Sequence, residues 1–287
     1  MLQRKLMLLI RRLFFALVAL GLAVGAFGYF TATSDPAVRR ASLALPGWPE
    51  GEPPVRVVLL SDIHVDAPDT PPSRIARVVE QVNALRPDVV LIAGDFVSDK
   101  RLSTGSYTPA IGLAPLRGLR PRLGTFAVLG NHDEPYTAAV SAALRAAGVR
   151  VLDNEAVRAG PLAIGGIADL WGGRTDIALT AARMEAVGGA QLLLSHNPDV
   201  FPDLPPQVAL TLAGHTHCGQ VRLPLIGTPV TFSAYGERYA CGLVQERGRR
   251  LVVTAGIGNS MAPLRIGAPP DLWLLDLRPA GARSLQR

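Results

Sequence analysis

Leu212-Ala-Gly-His-Thr-His-Cys-Gly-Gln220 begins where a short apolar run, Val208 to Leu212, ends, and that run reads as a buried strand. Gly214-His215-Thr216-His217 is then the turn that leaves it. Residues two apart in an extended segment project to the same side, so the imidazoles of His215 and His217 converge. Two neutral imidazoles at a strand end suit a divalent cation of the Zn, Mn or Fe class. Cys218 follows the pair, but its side chain is expected on the opposite side from theirs, which argues against it as a ligand. A metal site requires more than two ligands, and the rest of the chain must supply them.

Four earlier strand ends carry suitable residues. Val55–Leu60 is an apolar run ending in Ser61-Asp62-Ile63-His64, with Asp62 and His64 again two apart. Asp88–Ala93 is followed by Gly94-Asp95, and Gly124–Leu129 by Gly130-Asn131-His132-Asp133. Asn131 offers a carbonyl oxygen to a metal, His132 a proton carrier, and Asp133 a carboxylate to orient His132. Ala190–Ser195 leads into His196-Asn197-Pro198. Between these runs, Ile75, Val78, Val79, Val82 and Leu85 recur at helical spacing over 73–85, and further helices are expected over 136–147 and near 176–187. Residues 99–120 read as a loop and then a helix from about Pro109. Short strands are expected around Val149–Leu152 and Leu162–Ile167, β-hairpins over 219–255, and a last strand at Leu272–Leu277. Strand and helix alternating with short links describe an α/β layered domain. All five histidines follow predicted strands, with Asp62, Asp95 and Asn131 in equivalent places. Ligands in α/β sheets gather at those carboxyl ends.

Composition sets the outer limits. With 287 residues and 48% hydrophobic content the chain is no disordered protein. Two cysteines, Cys218 and Cys241, are too few for a disulfide framework, and whether they pair stays open. Arg4, Lys5, Arg11 and Arg12 account for four of the six net positive charges, so the chain after residue 30 is close to balanced. That argues against a nucleic-acid-binding surface. Leu13 to Phe30 contains no charge and as a helix would span about 27 Å, enough for a bilayer core. A retained anchor is preferred over a cleaved signal peptide because no A-x-A cleavage site follows, although Arg11-Arg12-Leu-Phe-Phe15 resembles a twin-arginine export signal. The basic residues before the span favour a cytoplasmic N-terminus and a domain on the periplasmic, extracytoplasmic side of an inner membrane. The expected organisation is therefore an anchor over 1–30, a Pro/Gly-rich linker over 31–54, a catalytic domain over 55–278 and a tail over 279–287.

In this order, D-x-H, G-D, G-N-H-D, H and G-H-T-H resemble the motifs of the calcineurin-like metallophosphoesterases over roughly 55–278. The resemblance implies a four-layer α/β/β/α sandwich and a centre of two divalent metals, Mn, Fe or Zn. Asp62, His64, Asp95 and His217 would hold one metal. Asp95 would bridge to a second held by Asn131, His196 and His215, and His132 would act as proton donor or electrostatic stabiliser. It implies an enzyme that hydrolyses phosphodiester or pyrophosphate bonds by attack of a metal-bound hydroxide. One departure is Ser98, where many family phosphatases carry an Asp that pairs with the motif His; Asp99 or Asp133 would have to substitute. Ser195-His-Asn-Pro-Asp199, the extended Gly214–Pro224 run and Gly256-Ile-Gly258 with Arg265 are similar to bacterial membrane-attached phosphodiesterases, some of which hydrolyse UDP-2,3-diacylglucosamine in lipid A synthesis. Arg265 is then a candidate phosphate contact, and a lipid-linked substrate is expected. A non-catalytic scaffold and a metal-dependent nuclease are the alternative readings.

Overall fold

The structure is a computed structural model describing residues 2–98, 100 and 102–281. Two six-stranded sheets pack face to face. The first runs β1 (Ala37–Leu45), β12 (Asp271–Pro279), β2 (Val55–Leu60), β3 (Val89–Ala93), β4 (Thr125–Val128), β5 (Val149–Val151). The second runs β10 (Gly242–Glu246), β11 (Arg249–Val253), β9 (Leu210–Ala213), β8 (Ala190–Leu194), β7 (Leu162–Gly166), β6 (Glu155–Ala159). β2 to β5 are parallel, as are β7, β8, β9 and β11.

Both faces of the central strands are buried, which is why they read as continuous apolar runs rather than alternating ones. Val57, Leu59 and Leu91 point between the sheets, where they meet Ile164, Leu192, Leu194 and Leu212. Their neighbours Val58, Leu60, Val90 and Ile92 point outward onto Ile75, Val78, Val79 and Val82 of α2 (Pro72–Ala84) and onto Val140 and Leu144 of α4 (Thr137–Ala146). On the other side, Ala163 and Leu193 pack with Met184 of α5 (Ile177–Val187) and with Phe201. The result is the expected α/β/β/α order. The helix expected from about Pro109 is a single turn, α3 (Pro109–Gly112), continued by a 3-10 turn.

Before the sheets stands α1 (Leu2–Thr33), apolar and long enough to cross a membrane, at about 48 Å against the ~30 Å hydrocarbon core. It is exposed along most of its length, but Gly28 and Ala32 in its last turns are buried against the domain.

The expected linker over 31–54 needs correction. Ala37–Leu45 is β1, paired along its whole length with β12 in parallel register. Its Arg39-Arg40 pair and largely exposed edge position hide any alternation of polarity, so its pairing with residues more than 230 positions away could not be read locally. β6 escaped notice for the same reason, being the other sheet's half-exposed edge. Over 219–255, only β10 and β11 form a regular hairpin; the earlier part is held by isolated bridges and 3-10 turns. Of the expected tail, residues 282–287 lie outside the described residues.

Candidate metal centre

The structure brings all seven expected ligands to one place. Asp62 and His64 follow β2, Asp95 follows β3, Asn131 follows β4, His196 follows β8, and His215 and His217 follow β9. Parallel strands deliver their carboxyl ends to one edge, so the two sheets place these loops opposite each other. The local backbone is unusual: Asp62, His64, Asp95, His215 and His217 all have positive φ, between 44° and 70°. Non-glycine residues avoid this region, and it concentrates where surrounding structure holds side chains for function. Two glycines explain the motif spelling. A Cβ on Gly130 would overlap the Asp95 carboxylate, and one on Gly214 would overlap Ser61 Oγ and the Asp62 carboxylate.

Three groups form within this cluster: Asp62, His64 and His217; Asp62, Asp95 and His196; and His64, Asp95 and His132. In each, the ligand atoms lie within 4.8 Å of one another. His64 Nδ1 donates to Val97 O at 3.1 Å, which leaves a lone pair on Nε2. That nitrogen faces His217 Nε2 at 3.1 Å and Asp95 Oδ2 at 3.5 Å. His196 Nδ1 sits 2.7 Å from Ala93 O, while its Nε2 faces Asn131 Oδ1 at 3.0 Å, His215 Nδ1 at 3.2 Å and Asp95 Oδ2 at 3.3 Å. Acceptors directed at acceptors in a buried place require a proton or a cation between them.

Electrostatics follow the same geometry. Burial pushes His64 down to about 3, with Asp95 opposing. Burial and the charge of His196 push His215 to about 3 as well. Burial, His64 and Arg265 hold His217 well below the ordinary imidazole range. His196 is the exception: burial opposes its charge, yet Asp95, Asp62 and Asp169 lift it to about 10. Burial also opposes the Asp95 charge, but His196, His64 and His132 hold that carboxyl well below its usual range. Burial lifts Asp62 to about 6 against the pull of His196. Without metal, one proton on His196 thus partly balances the two carboxylates. Neutral imidazoles, carboxylates and an amide oxygen are the ligand chemistry that Mn, Fe and Zn accept, so these residues could hold a pair of divalent ions.

His132 stands at the rim of the cluster with its side chain 21% exposed; its backbone N–H donates to Asp95 Oδ1 at 3.0 Å, and its ring meets that of His64 edge-on. Asp133 does something other than orient His132 through a dedicated bond. Its Oδ1 accepts from the N–H groups of Phe96 and Val97 at 2.9 and 3.1 Å, and its Oδ2 from Gly130 N–H at 2.9 Å. It ties the loop after β4 to the loop after β3. Burial and Asp95 raise its carboxyl to about 7 against those three donors. The substitute considered for the missing Asp, Asp99, lies outside the described residues.

Arg265 is also corrected. It is fully buried and does not line the cleft, because its guanidinium is used by the carbonyls of Ala255, Gly258 and Ala268 and by Asn259 Oδ1. Its Nη2 also lies 3.3 Å from His217 Nδ1, so it braces a candidate ligand from behind instead of meeting substrate. Cys218 is no ligand either: it forms a disulfide with Cys241.

A cleft of about 570 Å³ opens above the cluster, reaching Asp95, Asn131, His132, His215 and His217 and walled by Tyr136, Trp171, Phe232 and Met261. Trp171 packs edge-on against the His215 ring, with centroids 5.2 Å apart. Nothing in the sequence around Trp171 or the buried Asp169 singled them out, because they sit in an irregular loop without periodicity. Two motif residues brace the walls. Asp199 accepts from Ser233 Oγ at 2.6 Å and Ala234 N–H at 2.7 Å, holding the loop that carries Phe232. Gln220 Oε1 accepts from Ser260 N–H at 2.8 Å, and its Nε2 donates to Ala262 O and Leu264 O at 3.2 Å, holding the segment that carries Met261.

The family model of the calcineurin-like phosphoesterases matches residues 55–219. The chain belongs to this family. Phosphodiesterase YaeI of Escherichia coli is 33% identical over 236 residues, covering 78% of this chain and 82% of that protein. The uncharacterized metallophosphoesterase YkuE of Bacillus subtilis is 30% identical over 240 residues, covering 80% and 81%. A zebrafish (Danio rerio) transmembrane protein with metallophosphoesterase domain is 31% identical over 280 residues, 88% of this chain but 60% of the relative. The chain is accordingly a metal-dependent phosphoester hydrolase. α1 is long and apolar enough to cross a membrane, and two of the relatives are named as transmembrane proteins.

Proposed function

We propose that this chain is a membrane-tethered phosphodiesterase in which Asp62, His64, Asp95 and His217 hold one divalent ion and Asp95, Asn131, His196 and His215 a second. The observation that carries the reading is the convergence of these donors, acceptor against acceptor, on the floor of a cleft large enough for a phosphodiester. When bound, such a pair supplies Lewis-acid charge for the phosphoryl oxygens and lowers the pKa of a water. The protein's own contribution is position. Asp95 would reach both ions, held by the His132 backbone N–H; Arg265 and Asp133 keep the ligand loops from shifting. His132, at the rim, would face the leaving oxygen and give it a proton or neutralise its charge. A diester rather than a monoester is favoured because the relative YaeI is named a phosphodiesterase and because Ser98 replaces the phosphatase Asp.

Two features support a reading of the membrane side. The Cys218–Cys241 disulfide persists in oxidising compartments. Four basic residues precede the span, which favours a cytoplasmic N-terminus. Both support a domain outside the cytoplasm, where a lipid headgroup phosphodiester is a better candidate than UDP-2,3-diacylglucosamine made inside. The test is the purified full chain in detergent, its metals measured by mass spectrometry. Hydrolysis is then compared, with added Mn²⁺, for p-nitrophenyl phosphate, bis-p-nitrophenyl phosphate, phosphatidylglycerol and UDP-2,3-diacylglucosamine. Preference for the diesters is expected. A chain that binds no metal and hydrolyses none of the four returns the protein to the scaffold reading.

A further inference from the structure

The way α1 enters the domain determines which face of the molecule the membrane meets. No free linker separates them: the Gly28 carbonyl accepts from Arg265 N–H at 3.0 Å, that of Ser34 from Arg74 at 2.8 Å and that of Pro36 from Gln81 at 2.8 Å. β1 is parallel to β12, and β12 is antiparallel to β2. The start of β1, where α1 arrives, therefore lies at the same end of the first sheet as the carboxyl ends of β2, β3 and β4. That is the edge carrying the metal centre. The opposite end, with Glu50 in the β1–β2 connection, is about 26 Å of strand further from α1.

A hairpin projects from the site edge. Arg222 N–H donates to Ile266 O at 2.7 Å, and Leu223 and Gly227 exchange N–H···O bonds of 2.9 and 3.0 Å. The hairpin thus stands on segment 264–267, the same segment that touches Gly28 of α1 through Leu264 and Arg265. At its tip Leu225 is fully exposed, and Ile226 is exposed over most of its surface, as is Met261 on the cleft rim. Leu225 has a φ of 67°, a left-handed backbone in which glycine or asparagine is usual. An apolar side chain held there gains nothing from the protein's own core. An exposed Arg222 at its base completes the pattern of residues that settle into a lipid headgroup layer, apolar tips below and a cation at the phosphate level.

We propose that the tip Leu225-Ile226 inserts into the surface of the membrane that α1 spans, so that the cleft opens onto the bilayer and takes phosphoesters borne by lipid headgroups. The proposal rests on the reading of α1 as a membrane span. A bilayer is favoured as the occupant because the exposed apolar tip is continuous, through 264–267, with a helix whose stretch from Leu13 to Phe30 carries no charge.

The test uses three single-cysteine forms of the full chain, Leu225→Cys, Ile226→Cys and Glu50→Cys, each exposed enough to leave folding undisturbed. The native cysteines are bonded to each other, so an environment-sensitive nitrobenzoxadiazole label goes to the new thiol alone. Labelled protein is reconstituted into vesicles of phosphatidylcholine and phosphatidylglycerol, floated, and titrated with doxyl-labelled lipid. Labels at 225 and 226 are expected to shift to the blue and to be quenched several-fold more than the label at 50. If all three labels stay in water while the protein floats, the hairpin proposal fails and the α1 reading stands. A blue shift at 225 that ignores doxyl lipid and grows with protein concentration would mean a second copy covers the tip, which also overturns the proposal. Protein that does not float with vesicles overturns the α1 reading itself.

Discussion

The floor and the walls of the cleft are built in opposite ways. The floor stands on the ends of largely buried strands, its candidate ligands buried apart from the half-buried Asn131 and its loops cross-braced by Asp133 and Arg265. The walls come from irregular segments around Trp171, Phe232 and Met261, held by the side chains of Asp169, Asp199 and Gln220 with one disulfide beside them. The contrast teaches a division of labour. Charge-handling chemistry tolerates little displacement and is placed on rigid elements, whereas the walls decide which ester reaches it.

The largest effect is expected from breaking the floor. Asp95→Asn should lower hydrolysis of bis-p-nitrophenyl phosphate on the order of 10³-fold, the scale of one lost electrostatic contact in a dry site. Metal content measured on the same preparation should fall with it. Arg265→Ala should leave three carbonyls without a donor and destabilise the fold by about 3 kcal/mol or more, read as a lower Tm. Any surviving folded fraction should keep its KM, whereas a raised KM with unchanged Tm would restore Arg265 as a substrate contact.

Opening the disulfide tests the walls. Cys218→Ser with Cys241→Ser should cost about 3 kcal/mol, the chain-entropy scale for a loop closed over 23 residues. Trp171→Ala should be milder still, raising KM roughly 10-fold for an extended diester. Its kcat on small soluble esters should stay close to the parent value. A large fall in kcat would mean that Trp171 positions His215 and belongs with the floor.

The smallest signal is a proton. Because Asp95 and its neighbours hold His196 up to about 10 in the metal-free protein, that ring is charged at pH 7.5 and must become neutral to ligate. Calorimetric titration of Mn²⁺ into chelator-stripped protein at pH 7.5, in two buffers of different ionisation enthalpy, should therefore report release of about one proton. Proton uptake, or no difference between buffers, would remove His196 from the ligand set.

Much of this molecule was legible before any tertiary contact was known. Strands buried on both faces announce themselves as apolar runs such as Val55–Leu60 and Val89–Ala93, and the residues just past them are located by the run's end. That local rule picked out Asp62, His64, Asp95, Asn131, His196, His215 and His217, and the structure brings all seven together. It gave no purchase on β1, whose exposed edge carries two arginines, or on Trp171 and Asp169, which belong to no periodic element.

By itself, then, the sequence determined which residue types end the strands, and hence the class of chemistry. The tertiary structure decided what the bracing residues do. Arg265 looked like a free cation until its position behind His217 and beside Gly28 was known, and Asp133 looked like a partner of its neighbour until Phe96 and Val97 were found to claim it. The reason is physical. Strand burial is written within a few consecutive residues, but the partner of a buried charge is whichever distant segment the fold packs against it.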